Sequence, residues 1–209
     1  MQRSTVLPSP DEALPGRRET MAVTNRHYVL NTPILPPFPP EYEEAYFAMG
    51  CFWGAERLFW EQDGVWTTAV GYAGGTTPNP TYKEVCTGRT GHAEVVRVVF
   101  DPKRIGYRDL LALFWERHDP TQGMRQHGDV GTQYRSMLLV ADDTQRAAAE
   151  ATRDTYASAL LEQHCGEITT TIQSLDAFYY AENFHQQYLA KTPRGSCELQ
   201  GTGVVCARG

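Results

Sequence analysis

The segment Gly50-Cys51-Phe52-Trp53-Gly54 sets a thiol between two glycines and beside two large aromatic rings. It lies where a strand-like run meets a helix-like one. Backbone N–H groups at a helix N-terminus favour negative charge, so the Cys51 pKa is expected to fall there and leave a reactive thiolate. The glycines would let a substrate approach the backbone closely. Phe52 and Trp53 would form an apolar, π-faced socket suited to a methyl or thioether group. A free cysteine at a strand end is commonly just a small buried hydrophobe. Here the flanking glycines and the helix start favour the reactive reading.

Four more cysteines follow, at positions 86, 165, 197 and 206, which makes an odd total of five. No CxxC pair and no His-x3-5-His partner is present, so zinc spacing is absent and no metal is expected. A chain of 209 residues buries about 70% of its unfolded surface and needs no disulfide framework to hold a core. Each cysteine is therefore either a buried hydrophobe or a working thiol, and its neighbours decide which. Cys86 and Cys165 receive no role.

The elements that must hold this thiol are interleaved strands and helices. Tyr42 to Met49 alternates, with Ala45, Phe47 and Met49 on one face, and runs as a strand into Gly50-Cys51. Ala55 to Gln62 reads as a helix stopped by Asp63-Gly64. Val65 to Tyr72 and Glu94 to Phe100 are strands, and Met137 to Val140 is a short one. Tyr107 to Arg117 sets Leu110, Leu111, Leu113, Phe114 and Trp115 at helical spacing. Asp143 to Gln163 is a long alanine-rich helix with an acidic start. Glu167 to Ile172 alternates as a strand, and Ala181 to Lys191 reads as a last helix. No βαβ unit repeats, so an α+β fold is expected rather than a doubly wound parallel sheet. Its form is a two-layer sandwich on a mixed or antiparallel sheet with a ferredoxin-like core.

Both ends look different. Eight of the thirteen prolines fall in residues 1–40, ending in Pro36-Pro37-Phe38-Pro39-Pro40. That arm should be extended, either wrapped on the domain or partly mobile. The folded domain is expected over 41–191. Residues 192–209 carry glycines 195, 201, 203 and 209 with Cys197 and Cys206, and read as a loop-like tail.

Composition excludes several classes. Nineteen basic against twenty-five acidic residues give a net charge of −6. A protein that binds nucleic acid or an anionic membrane surface needs a basic face instead. No uncharged apolar run approaches the ~18 residues of a membrane-spanning helix. The first twenty residues hold no apolar stretch of the secretory kind, so a cytoplasmic location is expected.

GCFWG, then GYAGGTTPNPTYKEVCTGRTGHAE, FWERHDPTQGMRQHGDVGTQYRS and AENFHQQYL, resemble the peptide methionine sulfoxide reductases of the A class. The likeness runs from about residue 45 to 206, in order and at the family's spacing. It implies a protein-repair enzyme, active against oxidative damage, that reduces the S epimer of methionine sulfoxide, free or in proteins. Cys51 would attack the sulfoxide sulfur. Glu94 matches the family's acid, which can act near neutral pH only if burial keeps it protonated. Tyr82 and Tyr134 match two tyrosines whose hydroxyls hold the sulfoxide oxygen, a device like an oxyanion hole. Asp129 matches an aspartate near the substrate backbone. His185 matches the family histidine and is expected behind the site rather than in it.

The resemblance also gives the tail a task. Reduction would leave Cys51 as a sulfenic acid, which condenses readily with a thiol. The tail would bring Cys197 to it, and Cys206 would then take over the bond as Cys197–Cys206 at the surface. A thioredoxin-type dithiol protein would reduce that pair, and no cofactor is implied. Two other readings compete. One is a cysteine hydrolase pairing Cys51 with His92 or His185, which needs a base beside the nucleophile. The other is a redox sensor or methionine-sulfoxide binding module without catalysis, in which Cys51 and the tail thiols form a switch disulfide.

Overall fold

A computed structural model describes residues 4–197 and 199–207. Among the described residues eight strands occur: β1 (Glu43–Ala48), β2 (Val65–Ala73), β3 (Ala93–Phe100), β4 (Arg125–Gln126), β5 (Asp129–Val130), β6 (Met137–Val140), β7 (Thr171–Ser174) and β8 (Phe178–Tyr180). The helices are α1 (Phe52–Trp60), α2 (Tyr82–Val85), α3 (Tyr107–Arg117), α4 (Asp143–Glu162) and α5 (Tyr188–Lys191), with a 3-10 turn at Thr132–Tyr134. Six strands form one sheet in the order β7-β6-β1-β3-β2-β8. Every pairing in it is antiparallel except β6 with β7. Its inner four strands, β6-β1-β3-β2, with α1 after β1 and α3 after β3, make the expected ferredoxin-like core of an α+β fold.

Strand alternation sorts the side chains between two faces. Ala45, Phe47, Met49, Val96, Val98 and Phe100 join residues of α1, α3 and α4 in the main core. Tyr46, Ala48, Ala73, Ala93, Val95, Met137 and Leu139 form a smaller cluster on the opposite face. The proline-rich arm packs beside that second face. Arg97 stacks against Phe38, Phe178 and Tyr180 and donates to the Ile34 carbonyl.

Of the two states open to the arm, the structure has the wrapped one. The Ser4 carbonyl accepts the Thr132 N–H at 2.9 Å, and the Leu14 N–H reaches the Arg89 carbonyl at 2.9 Å. The Tyr28 N–H reaches Gln187 Oε1 at 3.0 Å. His27 is fully buried. Its Nδ1 accepts the Val29 and Leu30 N–H groups, so Nε2 carries the proton toward Thr68 Oγ1 at 2.9 Å.

Several elements differ from the sequence reading. The helix expected over Ala181–Lys191 shrinks to its last turn. Gln187 sits at φ +48°, and its N–H goes to the buried Glu56 carboxyl at 2.7 Å instead of up a helical ladder. The strand expected at Glu167–Ile172 moves to Thr171–Ser174. Thr169 is held off it, donating its N–H (2.8 Å) and Oγ1 (3.0 Å) to the Pro120 carbonyl. α1 begins at Phe52, three residues earlier than expected, for a reason that lies in the site itself. α4 starts as read, with Asp142 Oδ1 capping the Gln145 N–H at 2.8 Å.

Candidate active site

The first N–H groups of a helix have no partner inside it. In α1 these donors go to the site. Cys51 occupies the cap position without capping through its side chain. The Phe52 N–H donates to Glu94 Oε2 at 3.0 Å. The Trp53 and Gly54 amides that follow face the Cys51 and Cys197 sulfurs and favour their thiolates, and Cys197 Sγ lies 3.7 Å from the Cys51 carbonyl oxygen. The start of α1 thus gathers the carboxyl and the two thiols in one place. Gly50, at φ +95°, makes the turn from β1 into this helix, a conformation a side chain would strain.

A cavity of about 420 Å³ opens over these groups. Cys51, Phe52, Trp53, Tyr82, Glu94, Asp129, Tyr134 and Cys197 all line it. Tyr82 begins α2, whose start is fixed by a Thr81–Glu84 capping box, and its N–H donates to Glu182 Oε1 at 2.9 Å. Tyr134 closes the 3-10 turn and is buried. Next to it, the buried Arg135 guanidinium donates to the carbonyls of Thr132 (2.9 Å) and Gly91 (2.8 Å), tying the Tyr134 loop to the one that leads into Glu94. Asp129 lies on β5 at the exposed rim. Gln126, His127, Gly128, Ser196 and Leu199 also line the cavity and were not singled out in the sequence. The first three share the segment of Asp129 and Ser196 adjoins Cys197, so adjacency was the only available signal.

The electrostatics fit the acid role and revise the thiol one. Burial pushes the Glu94 carboxyl up to about 8, against the opposing hydrogen bonds from Phe52 and Gln133. It therefore keeps its proton near neutrality. The two thiols hydrogen-bond each other, which raises Cys51 and lowers Cys197; burial and the Glu94 charge push Cys51 further up. The expected fall of the Cys51 pKa is thus not met in this conformation. The helix-start amides are shared by two sulfurs, and the more acidic one is Cys197. The glycine expectation shifts likewise. A methyl at Gly54 would lie 2.8 Å from the Cys197 carbonyl oxygen and 2.9 Å from its sulfur, so the tail makes the close approach.

His185 is fully buried outside the cavity lining and lies in a turn. Its Nδ1 accepts Trp53 Nε1–H at 3.0 Å, which leaves the ring proton on Nε2, facing Glu182 at 4.0 Å. Burial lowers it to about 4, so it is neutral. Trp53 is pinned from its other side by Tyr188, stacked at 3.8 Å. The His92 ring nitrogens are occupied by the Gly75 N–H at 3.1 Å and the Thr77 carbonyl at 2.7 Å. Neither histidine is bonded to Cys51, which removes the hydrolase reading. Among the described residues no cluster of His, Cys, Asp or Glu could hold a metal ion.

Cys206 departs most from expectation. It is buried, not at the surface, and does not line the cavity. Its N–H donates to Glu116 Oε1 at 2.9 Å, and Tyr156 Oη donates to the Val204 carbonyl at 3.1 Å. The tail is packed along α3 and α4.

A buried acid and two bonded thiols at a helix start could serve more than one thiol chemistry. The family model for peptide methionine sulfoxide reductase matches residues 43–205, which takes in every residue lining the cavity and ends one short of Cys206. The chain belongs to the peptide methionine sulfoxide reductase family. It is an enzyme that reduces methionine sulfoxide, and the sensor reading falls. Peptide methionine sulfoxide reductase MsrA of Azotobacter vinelandii is 61% identical, over 95% of this chain and 92% of its own length. Among solved structures, methionine sulfoxide reductase A of Corynebacterium diphtheriae is 43% identical with a TM-score of 0.84, covering 96% of this chain and 98% of that one. Mxr1 from Saccharomyces cerevisiae in reduced form is 33% identical with a TM-score of 0.70, covering 84% and 97%. The six-stranded α+β sheet of this peptide methionine sulfoxide reductase is thus shared with solved members of its family. No described helix is long and apolar enough to cross a membrane.

Proposed function

We propose that Cys51 attacks the sulfur of S-methionine sulfoxide, free or in proteins, while Glu94 protonates its oxygen. The observation that carries this reading is the buried Glu94 carboxyl, held by the amide next to Cys51 and protonated up to about pH 8. Protonation weakens the S–O bond and makes the sulfoxide sulfur electrophilic, which suits attack by a thiol whose own pKa is raised. The oxygen passes to Cys51 as a sulfenic acid, methionine leaves, and the thiol proton replaces the one Glu94 gave. Tyr82 and Tyr134 hold the oxygen as its charge grows. Phe52 and Trp53 receive the methyl group, and Asp129 at the rim meets the substrate backbone. His185 keeps the Trp53 indole in place.

Cys197 already touches Cys51, so it resolves the sulfenic acid with loss of water to give Cys51–Cys197. Cys206 then attacks Cys197, freeing Cys51, and a thioredoxin-type dithiol reduces Cys197–Cys206. This last exchange requires Cys206 to leave its packing against α3. Residues 41–191 thus supply catalysis, 192–209 the relay, and 1–40 a strap. Five cysteines in a chain large enough to fold without a disulfide framework suit a reducing compartment, the cytoplasm.

The test is stoichiometry without added reductant. Wild type should form about two equivalents of methionine per protein, because the relay frees Cys51 for a second attack. Cys206→Ser and Cys197→Ser should each stop at about one, the latter with sulfenic acid left on Cys51. One equivalent from wild type would discard the relay, and none from fully reduced protein would discard the attack by Cys51.

A further inference from the structure

His127 follows β4 at the tip of the hairpin whose second strand carries Asp129, and it lines the substrate cavity. Its Nε2 lies 2.7 Å from the Gln200 carbonyl of the tail. A carbonyl only accepts, so Nε2 carries the proton and donates it. The His127 backbone is left-handed, at φ +49°, which is uncommon for a residue with a side chain. Its neighbours hold it there. The His127 N–H donates to Gln122 Oε1 at 2.6 Å, and its carbonyl accepts from Arg125 Nε at 3.1 Å. Gln122 Nε2 donates to Asp119 Oδ2 at 2.8 Å and faces His127 Nδ1 at 3.5 Å. Asp119, two residues past α3, exchanges two bonds between its main chain and the Gln126 amide, both at 2.9 Å. The ring is thus carried on a bonded chain that runs from the end of α3 to the tail.

We propose that His127 is a positioning residue for resolution: its bond to Gln200 holds the tail down so that Cys197 meets the Cys51 sulfenic acid. The proposal rests on the reading of Cys197 as the resolving thiol. In that step the Cys197 sulfur attacks the Cys51 sulfur, the S–O bond breaks, an S–S bond forms, and water leaves with the thiol proton. The tail is anchored at its far end, where Tyr156 Oη meets Thr202 Oγ1 at 3.0 Å and the Val204 carbonyl at 3.1 Å. At its near end Cys197 rests against Gly54 and the Cys51 carbonyl. The first chemical step adds an oxygen to the Cys51 sulfur, beside Cys197, and so disturbs the near-end contact in the very state that must be resolved. Gln200 lies three positions further along the tail, and its bond to His127 does not involve the oxidised sulfur. That bond keeps Cys197 within reach while the near end rearranges.

The test uses the full chain carrying Cys206→Ser, in which oxidation stops at Cys51–Cys197. Methionine sulfoxide is added without reductant, in the presence of a 1,3-dicarbonyl that alkylates sulfenic acids. Mass spectrometry counts Cys51 as alkylated or as disulfide, and the ratio reads the resolving step whichever step is slower. His127→Leu removes the N–H, whereas His127→Gln offers an amide N–H at a similar reach, and both carry the same left-handed backbone cost. The leucine variant should move the ratio toward alkylation ~5-fold, the effect of one lost hydrogen bond, and glutamine should return it to within about twofold of the parent. His127→Ala should repeat the leucine result without an added apolar side chain at the cavity. An unmoved ratio in the leucine and alanine variants would overturn the proposal. So would an equal shift in all three, which would make the bond to Gln200 incidental. If the parent itself forms no Cys51–Cys197 disulfide, the resolving role of Cys197 fails and the proposal with it.

Discussion

Glu94 reaches across forty-two positions of the chain to the Phe52 N–H, the residue next to Cys51. The helix-start amide that bonds the carboxyl costs it only part of what burial adds, and the balance leaves a proton at pH 7. Glu94→Gln keeps an oxygen for the Phe52 N–H but has no proton to give. Single-turnover reduction should slow by ~10²-fold or more, while methionine sulfoxide binding changes little. In wild type the same rate should fall as pH rises through about 8, the point at which Glu94 loses its proton. A rate that climbs through that range instead would mean that thiol ionisation, not the acid, limits the step. Trp53 depends on His185 in turn, and His185→Ala frees the indole that lines the socket. KM should rise several-fold with the pH profile in place, as measured by steady-state assay against pH.

At the level of elements, α1 is both scaffold and part of the site. Nine residues long, it has no side-chain cap, and its first free amide goes to the Glu94 carboxyl while the next two face the two sulfurs. The approach of the tail to this turn is possible because position 54 lacks a Cβ. Gly54→Ala would place a methyl under 3 Å from both the carbonyl oxygen and the sulfur of Cys197, so the tail must lift. The first equivalent of methionine should still form, and the second should be slowed ~10-fold or more, a step read by rapid quench without reductant. Equal slowing of both would show that the methyl disturbs Cys51 itself. The packing of Val204 and Cys206 into the main core makes release of the tail an ordered step and not free diffusion of a loop.

Across the whole molecule, buried titratable groups set how stability responds to pH. Glu56 and Glu94 are raised to about 7 and about 8, so the folded state holds protons that the unfolded chain has lost above about 4.5. Their contribution falls as pH rises toward 8. His27, His118 and His185 are lowered to about 4, so below about 6.5 the unfolded chain binds protons that the folded one refuses. Their contribution falls as pH drops. The three histidines outweigh the two carboxyls on the acid side, and only the carboxyls act above about 6.5, so stability should peak near that pH. Urea midpoints measured from pH 5 to 8.5 check this, and Glu94→Gln should flatten the alkaline side. A midpoint that rises steadily to pH 8 would refute it. The wrapped arm shares in the same network: His27 bonds Thr68, which donates to Glu56 Oε1 at 3.0 Å. Removing that ring by His27→Ala should cost about 1–3 kcal/mol in a urea melt.

The local chain determined a good deal. Alternation and helical spacing placed β1, β2, β3, α3, β6 and α4 within a few residues, because each buries a face whose period is written in its own side chains. The GCFWG turn and the motifs that follow it also marked seven of the cavity-lining residues, and the tail an eighth, Cys197. What eluded the sequence was whatever depends on partners distant in the chain. The 181–187 segment is drawn out of a helix by Glu56, and β8 becomes a strand only because the edge of β2 accepts it. Gln133 and Gln126 look like ordinary loop polar residues until burial gives their amides fixed partners. The Cys51 pKa shows the same division. A helix start does favour a thiolate, as the sequence implies, but only the folded chain brings a second sulfur, a carboxyl and exclusion from water to the same spot. Those neighbours reverse the sign, because desolvation and pairing act through distances that no local pattern encodes.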